Sequence, residues 1–312
     1  GEGFFMDTFD KSAGIEDLTE SYPLVDVGLG KAEDYVGKDL TGKIAFIKRG
    51  DISFAEKALN AQGAGAAAAI VFNNAPEALE SGTLGDADVQ IPVYALSGAY
   101  GNRILDALKE QELSAEFSTT VEEDIMAGFS SRGPAKPGYD LKPDISAPGM
   151  GIVSSVPEYE GWYAAQNGTS MAAPHIAGAV ALVLQKYPNL TPYEVKSLLM
   201  NNTVKLSDRN GDRYTHMDQG AGRVALDQVL EAKAVAMVED STSNVDGDFP
   251  ETFYTGSLSF GYVGNGFSAK QHVIVKDIVG EPSTYTVSSQ WYDGVPIDLT
   301  LSAAEVAVSA GG

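Results

Sequence analysis

Hydrophobic residues in the first third of the chain come in short runs separated by glycine turns. The runs at 43–48, 66–72 and 91–96 are brief and apolar, so each predicts a strand, and the alanine-rich run at 66–72 predicts a buried one. Residues 1–19 show no clear period. The pattern predicts strands, turns and helices from about residue 20 to 118, preceded by a lead-in segment at 1–19.

Two helices are predicted within that region. Ser53 and Glu56 have the spacing of a capping box, in which a side-chain oxygen and a carboxylate satisfy the first backbone N–H groups of a helix. The helix that they open is expected to end near Gly63. A second helix is predicted at 101–109.

A helix that is apolar on every side is predicted in the middle of the chain. Residues 176–184 are all apolar or glycine, so this helix needs covering on all of its faces. The turn before it places Ser170 at the helix start, where unpaired N–H groups and the positive end of the helix dipole converge. Such a position stabilises negative charge, including the oxyanion of an acyl-transfer intermediate.

A further helix is predicted to begin after Thr191. Thr191 is expected as its N-cap, Pro192 as its first residue and Glu194 as the partner that closes a capping box. The apolar residues that follow have helical spacing and predict a buried stripe. They are Val195, Leu198 and Leu199.

The last part of the chain changes from helical to alternating patterning. Residues 238–248 are acidic and polar, as in a linker. Four period-2 segments follow and predict antiparallel strands. They lie at 253–263, 272–278, 285–292 and 297–301. They indicate a β-sandwich at 250–312, a span that is short for a whole one.

Composition excludes several classes of partner. The 312 residues include 43 acidic and 21 basic side chains, for a net charge of -22, so nucleic acid and anionic membranes would be repelled. Cysteine is absent, which excludes disulfides and thiolate metal sites. No apolar run has the length of a membrane span. The chain starts at Gly1 without a methionine, which we expect of a cut inside a larger protein.

Three blocks in the middle of the chain resemble the subtilisin-like serine proteases, or subtilases. They are FSSRGP at 129–134, KPDISAPG at 142–149 and NGTSMAAPH at 167–175. The resemblance implies that Ser170 is the nucleophile and that its N–H and the Thr169 hydroxyl support the oxyanion. It also implies that Gly168 lets the backbone pass close to substrate and that Asn167 holds the loop. For Asn167 a role as a turn residue is an equally simple explanation, and for Gly168 the alternative is turn geometry alone.

The other catalytic residues of that family have no match in this chain. The family carries its base in an H-G-T-H-V motif, its orienting aspartate in a D-T-G motif and its main oxyanion asparagine in an S-A-G-N-type segment, and none of these strings occurs. His175 is five residues after Ser170 on the same helix, too far along it to act as the base, and the family position is a buried, structural histidine. His216 and His272 are interpreted as structural or exposed. The resemblance therefore implies an upstream catalytic half that carries Asp and His, and an inactive isolated chain.

Two flanking regions resemble other modules. Residues 20–118 resemble a protease-associated (PA) domain, a non-catalytic family that restricts access to a neighbouring site or binds peptide or protein. Residues 250–312 resemble the fibronectin-III-like modules of large cell-envelope subtilases. The expected fold class is α/β: the C-terminal half of a subtilisin-like parallel-sheet catalytic domain at 119–236, with an α+β PA domain and a partial antiparallel β-sandwich.

The function that follows is peptide-bond hydrolysis through an acyl-enzyme on Ser170, as part of a larger secreted or cell-envelope bacterial subtilase. Its substrates would be proteins or peptides. Two alternatives stay open: a non-catalytic processed fragment that serves as a protein-binding PA and β-sandwich module, and one half of a nicked protease. An intact-mass measurement on the source protein separates these alternatives.

No cofactor is required for this chemistry, although structural calcium is common in the family. Asp208, Asn210 and Asp212 place oxygen side chains at alternate positions, as calcium loops do, and a polar surface turn is the simpler interpretation. Arg132 and Lys142 are expected in structural or solvated ion pairs.

Overall fold

The computed structural model divides the chain into two units, Gly1–Glu123 and Asp124–Gly312. The structure describes residues 3–9, 11–14, 18, 20–77, 79, 82–119, 122–136, 139–240, 253–260, 263–264, 266–290 and 298–311. Together the two units give a mixed α/β chain. No helix in these ranges combines the length and the apolar character that crossing a bilayer requires.

One mixed sheet organises the described part of the first unit. Its strands are β1 Asp7–Thr8, β2 Tyr22–Asp26, β3 Ile44–Lys48, β4 Ala68–Phe72, β5 Val93–Leu96 and β6 Ser114–Ala115. Their order is β1-β5-β4-β3-β2-β6. The four central strands run parallel, and β1 and β6 add antiparallel edges.

Both faces of this sheet are covered, one by helix α1 Phe54–Gly63 and the other by helix α2 Gly98–Glu110. Ala45 and Ile47 of β3 share a buried cluster with residues of α1, whereas the alternate residues Ile44 and Phe46 pack with residues of α2. Strands buried on both faces have continuous apolar sequences, which explains the apolar runs in this region.

Local capping sets where the two helices begin. The Ser53 hydroxyl accepts from the Glu56 N–H (3.2 Å), and α1 ends at Gly63 as predicted. The Ser97 hydroxyl likewise accepts from the Tyr100 N–H (3.3 Å), so α2 starts three residues before the predicted Gly101. Serine is a strong N-cap because its oxygen satisfies an orphan N–H, and the apolar spacing alone did not reveal this one.

The second unit contains the NGTSMAAPH block at 167–175 and mostly short elements. Its helices are α3 Thr169–Lys186, α4 Pro192–Asn201, α5 His216–Gln219 and α6 Leu226–Glu231. Its strands are β7 Ile152–Ser155, β8 Tyr163–Gln166, β9 Thr203–Val204, β10 Arg223–Val224, β11 Ala234–Asp240, β12 Phe253–Thr255, β13 Val273–Asp277, β14 Ser283–Thr286 and β15 Glu305–Val308.

One buried cluster joins the helices of this unit to the strand that follows them. The predicted stripe of α4 is buried, and it packs with Val183 of α3, Val229 of α6 and Val235 and Met237 of β11. The capping box of α4 is present as predicted. Burial alone would raise the pKa of Glu194, but the bonds from Lys276 (2.6 Å) and from Thr191 lower it.

The C-terminal strands are antiparallel, in two groups. β11 lies between β12 and β13, and β14 pairs with β15. The linker predicted from Val238 is wrong for 238–240, which belong to β11, because these three residues pair with the three residues of β12. Residues 241–248 lie outside the described residues. The strand predicted at 297–301 is also wrong where it is described, at 298–301; a strand forms instead at Glu305–Val308.

The parallel sheet expected around the nucleophile is not found among the described residues of the second unit, where the named sheets are antiparallel. Parallel pairing there is limited to an isolated bridge between Ser146 and Arg223. The segment around Ser146 contains Pro143 and Pro148, which have no N–H to donate to a ladder. Only a short contact with β10 remains.

Asp277 closes the C-terminal turn with backbone hydrogen bonds. Its buried carboxylate accepts from Val279 (3.2 Å), Gly280 (2.7 Å) and Gly311 (2.9 Å). The Gly311 N–H, with the other donors, holds the pKa of Asp277 below its usual value and outweighs the effect of burial. The aspartate therefore joins the end of β13 to the residues after β15.

Asp277→Asn is expected to lower the Tm at neutral pH by a few degrees, because it replaces an ionised acceptor with a neutral amide. Since the native pKa is below the unfolded one, the stabilisation is complete above the unfolded value near 4 and is lost as the pH falls through the native value. Thermal melts from pH 7 to pH 2 should show the gap between the two proteins closing in acid. Asp298→Asn, at an exposed carboxyl group, is the control. A gap that is independent of pH would contradict the role of the charge.

Candidate active site around Ser170

A loop that contains Gly168 precedes α3 and places Ser170 in the first turn of this helix. Gly168 is the N-cap of that helix, with φ 156° and ψ 157°, a conformation that is essentially restricted to glycine. Its carbonyl accepts from the N–H groups of Met171 (3.0 Å) and Ala172 (3.4 Å). Among the described residues, no acceptor meets the N–H groups of Thr169 and Ser170. Two donors at the positive end of an 18-residue helix are thus free beside the exposed Ser170 side chain.

A second glycine loop braces this turn. The Gly168 N–H donates to the Gly149 carbonyl (2.8 Å), and the Asn167 amide oxygen accepts from the Gly151 N–H (2.6 Å). A Cβ atom on Gly149 would lie 2.8 Å from the Gly168 oxygen, so the close contact between the two backbone segments requires glycine at position 149. Asn167 therefore holds the loop at 149–151 against the nucleophile turn. The sequence of the KPDISAPG block predicted turns fixed by proline. It did not predict these hydrogen bonds, because the partners are distant in the sequence.

The KPDISAPG block is anchored at its other end to the turn after α5. The Ser146 N–H donates to the Gly222 carbonyl (2.9 Å), and the Ser146 carbonyl accepts from the Val224 N–H (2.9 Å). A Cβ atom on Gly220, where φ is 62°, would lie 2.3 Å from the Pro143 oxygen. The block therefore spans from β10 to the nucleophile turn.

The FSSRGP block reaches the same helix, α5. Arg132 forms an ion pair with Asp218 (Nε–Oδ1 3.0 Å), and the Gly133 N–H donates to the Met217 carbonyl (3.0 Å). Asp218 also accepts from the Thr215 N–H (2.9 Å) and so caps α5. Two of the three sequence blocks thus converge on one short helix.

Asp144 is held in ion pairs with two lysines. Its carboxylate contacts the ammonium groups of Lys142 (2.7 Å) and Lys196 (3.0 Å). Burial by itself would raise the pKa of Asp144, but the two lysines outweigh it and lower the pKa. Lys196 on α4 was not expected as a partner, because 52 residues separate it from Asp144 and no local pattern links them.

No histidine hydrogen-bonds Ser170 within the described ranges. The His175 Nδ1 lies 2.8 Å from the Met171 carbonyl, one turn back on α3. His175 is exposed, which corrects the expectation of a buried histidine: the described residues leave this face of α3 uncovered. The His216 Nδ1 faces the Gly220 carbonyl (3.2 Å), and His272 is exposed before β13. Within the described ranges, the exposed Ser170 hydroxyl and two N–H groups thus lie at the start of α3 with no histidine hydrogen-bonded to Ser170.

In the candidate calcium loop at 208–212, the Asp208 side chain accepts hydrogen bonds from backbone N–H groups of the same loop. The Asp208 Oδ1 accepts from the N–H groups of Asn210 (2.9 Å) and Asp212 (2.9 Å), and Asn210 turns its Nδ2 toward the Asp208 Oδ2 (3.4 Å). Calcium needs six or more oxygen ligands turned inward. In the described part of the chain, no three His, Cys, Asp or Glu side chains come together as metal ligands. The arrangement of Asp208, Asn210 and Asp212 is that of an Asx turn, and calcium there stays a prediction.

The sequence model of the subtilase family matches residues 56–222, just over half of the chain. That span includes all three sequence blocks and the nucleophile turn.

Several curated relatives share most of this chain. The minor extracellular protease Vpr of Bacillus subtilis (strain 168) is 42% identical over 219 residues, covering 68% of the chain and 27% of that protein. C5a peptidase of Streptococcus pyogenes serotype M3 (strain ATCC BAA-595 / MGAS315) is 34% identical over 226 residues, with 69% and 19% covered. The PII-type proteinase of Lactococcus lactis subsp. cremoris is 32% identical over 263 residues, with 74% and 14% covered. The chain thus spans well under a third of the length of these relatives.

Proposed function

The chain belongs to the subtilase family, and we propose that it supplies the nucleophile of a serine endopeptidase whose aspartate and histidine lie in an upstream catalytic half. The observation that carries this proposal is the braced glycine turn, which leaves Ser170 exposed at the start of α3 beside two N–H groups that have no acceptor among the described residues. Replacing Ser170 by alanine in the full-length parent and measuring peptide hydrolysis tests it.

In this mechanism the Ser170 Oγ attacks the carbonyl carbon of the peptide bond. The upstream histidine takes the hydroxyl proton and then gives it to the leaving amine, which produces an acyl-enzyme. Water releases the acyl group by the reverse proton transfers. The Ser170 N–H and the Thr169 hydroxyl would stabilise the oxyanion, and Asn167 and Gly168 would keep these donors in position. No step requires a cofactor.

A secreted or cell-envelope bacterial setting fits this proposal, because one relative is named an extracellular protease. The natural substrates would be proteins or peptides. The acidic surface favours basic substrate segments over acidic ones.

A non-catalytic binding role is the second candidate. The first unit has two buried clusters of its own on either side of its sheet, as an independently folded PA-type binding domain would. An intact-mass measurement on the source protein distinguishes the two roles. A mass large enough for an upstream H-G-T-H segment, or a second, copurifying chain that carries this segment, favours the enzyme.

Deleting residues 20–118 from the parent is expected to change substrate choice more than the reactivity of Ser170. The reason is that none of the proposed catalytic groups lies in the PA-like region. Hydrolysis of a large protein should change severalfold relative to the wild type, while a short chromogenic peptide is cut at a similar rate. Equal losses on both substrates would mean that the region is needed for folding.

Mild peroxide is expected to lower the turnover of the parent about tenfold, a barrier increase of about 1.4 kcal/mol. The thioether of Met171 follows the nucleophile directly, and oxidation makes it larger and polar. Met171→Ala and Met171→Ser should resist the treatment. Met150→Ala, which removes an exposed methionine and keeps Met171, should remain as sensitive as the wild type. Inactivation of all variants at one rate would place the lesion elsewhere.

A further inference from the structure

The hairpin that precedes Ser170 presents an exposed face that carries an aliphatic and an aromatic side chain. β7 and β8 pair with Ser155 opposite Tyr163 and Val153 opposite Ala165, so these four side chains share one face. All four are exposed, and Val153 and Tyr163 are 67% and 71% accessible. Sheet faces of soluble proteins are usually covered or polar, so the exposed Val153 and Tyr163 make this face a candidate contact surface.

Two further aromatic rings lie at the turn of the same hairpin. Tyr159 is 85% exposed and Trp162 is 59% exposed. Trp162 has a φ of 72°, which is a true outlier for a bulky residue, and its carbonyl accepts from the Val156 N–H (2.8 Å). Backbone strain of this kind concentrates at functional positions. We call Val153, Tyr159, Trp162 and Tyr163 the hairpin surface.

The hairpin surface is continuous with the nucleophile turn. β8 ends at Gln166, and the next two residues are those held by Gly149 and Gly151, directly before β7. Both strands of the hairpin are therefore fastened at the end next to Ser170. The four residues of β8 span about 13 Å at about 3.3 Å each. Tyr163 is thus separated from the nucleophile turn by about four residues of an extended peptide.

We propose that the hairpin surface binds the polypeptide substrate about four to six residues away from the bond that is cut. This inference rests on the proposed function and adds a docking site to it. The occupant is an extended segment with an aromatic or aliphatic side chain to cover the rings. Basic neighbours would favour it further, because Glu158 is exposed directly before Tyr159 and the chain carries a net charge of -22.

Kinetics of the full-length parent on two substrates test the proposal. The long substrate is reduced and alkylated hen lysozyme, a basic unfolded polypeptide, and the short one is a chromogenic dipeptide anilide that spans about 7 Å. Trp162→Gly and the double variant Tyr159→Ser/Tyr163→Thr should each raise KM for the long substrate about tenfold, as loss of one strong aromatic contact does. Both should cut the dipeptide within twofold of the wild-type rate. Trp162→Phe should restore most of the affinity.

A binding measurement separates this proposal from the catalytic one. In the Ser170→Ala background, the fluorescence anisotropy of labelled reduced lysozyme gives Kd without hydrolysis, so it reports on the hairpin surface even if Ser170 proves to have no catalytic role. Tyr193→Ser removes an exposed aromatic from α4 and is the matched control. An unchanged Kd in the hairpin variants, an equal loss in Tyr193→Ser, or an equal loss on the dipeptide would each overturn the docking site.

Discussion

Ser170→Ala in the full-length parent is expected to lower kcat for peptide hydrolysis about a millionfold, the magnitude known for loss of the nucleophile in subtilisin, a member of the same family. The reason is that no other hydroxyl in the braced turn can form the acyl-enzyme. Thr169 is one residue away but belongs to the proposed oxyanion support. The measurement is steady-state hydrolysis of a chromogenic peptide by purified wild type and variant, with thermal melts to show that both are folded.

A matched control for this substitution lies in the adjoining hairpin. Ser154 is an exposed serine on β7, outside the nucleophile turn, so Ser154→Ala should keep nearly full activity. Retention of more than about a tenth of the activity by Ser170→Ala, against the orders of magnitude expected, would exclude Ser170 as the nucleophile.

The isolated 312-residue chain is expected to stay unlabelled by a fluorophosphonate, and labelling of Ser170 should rise by orders of magnitude when the upstream part is added. Without a base the serine hydroxyl is a weak nucleophile at neutral pH. The His175 Nδ1 is hydrogen-bonded within its own helix, and no other histidine in the described ranges contacts Ser170.

The packing of α3 gives a second reason for this dependence. Only Ala179 and Val183 of the helix are buried, whereas Leu182 and Leu184 are 44% and 39% exposed although the helix is apolar on all sides. An apolar face of that kind requires a partner, which we propose is the upstream half.

Intact-mass spectrometry of the labelled chain gives the stoichiometry, and the Ser170→Ala chain with the upstream part is the blank. Stoichiometric labelling of the isolated wild-type chain would show that a base lies within these residues and would refute the upstream dependence.

Local sequence patterns were sufficient to predict many of the helices and strands. The apolar runs predicted β3, β4 and β5, because a strand covered on both faces needs apolar residues at every position. The capping residues Thr191 and Glu194 predicted the start of α4. These features depend on neighbours within a few residues, so they can be predicted from the sequence alone.

The strand β11 shows where local signals fail. Its last residues resemble a polar linker in the sequence, yet the strand continues to Asp240 because residues 238–240 pair with Phe253–Thr255 of β12. This pairing depends on a separate strand, and no period in the sequence of β11 itself predicts it.

The sequence by itself determined the family resemblance, the nucleophile Ser170 as a prediction, and the elements whose periodicity and caps are local. The tertiary structure alone decided how the turn is held: Gly149 against Gly168, Gly151 against Asn167, and Lys196 against Asp144. These partners lie about 16 to 52 residues apart, and hydrogen bonds and ion pairs act only within a few ångströms. Only the folded path of the chain brings them within that range.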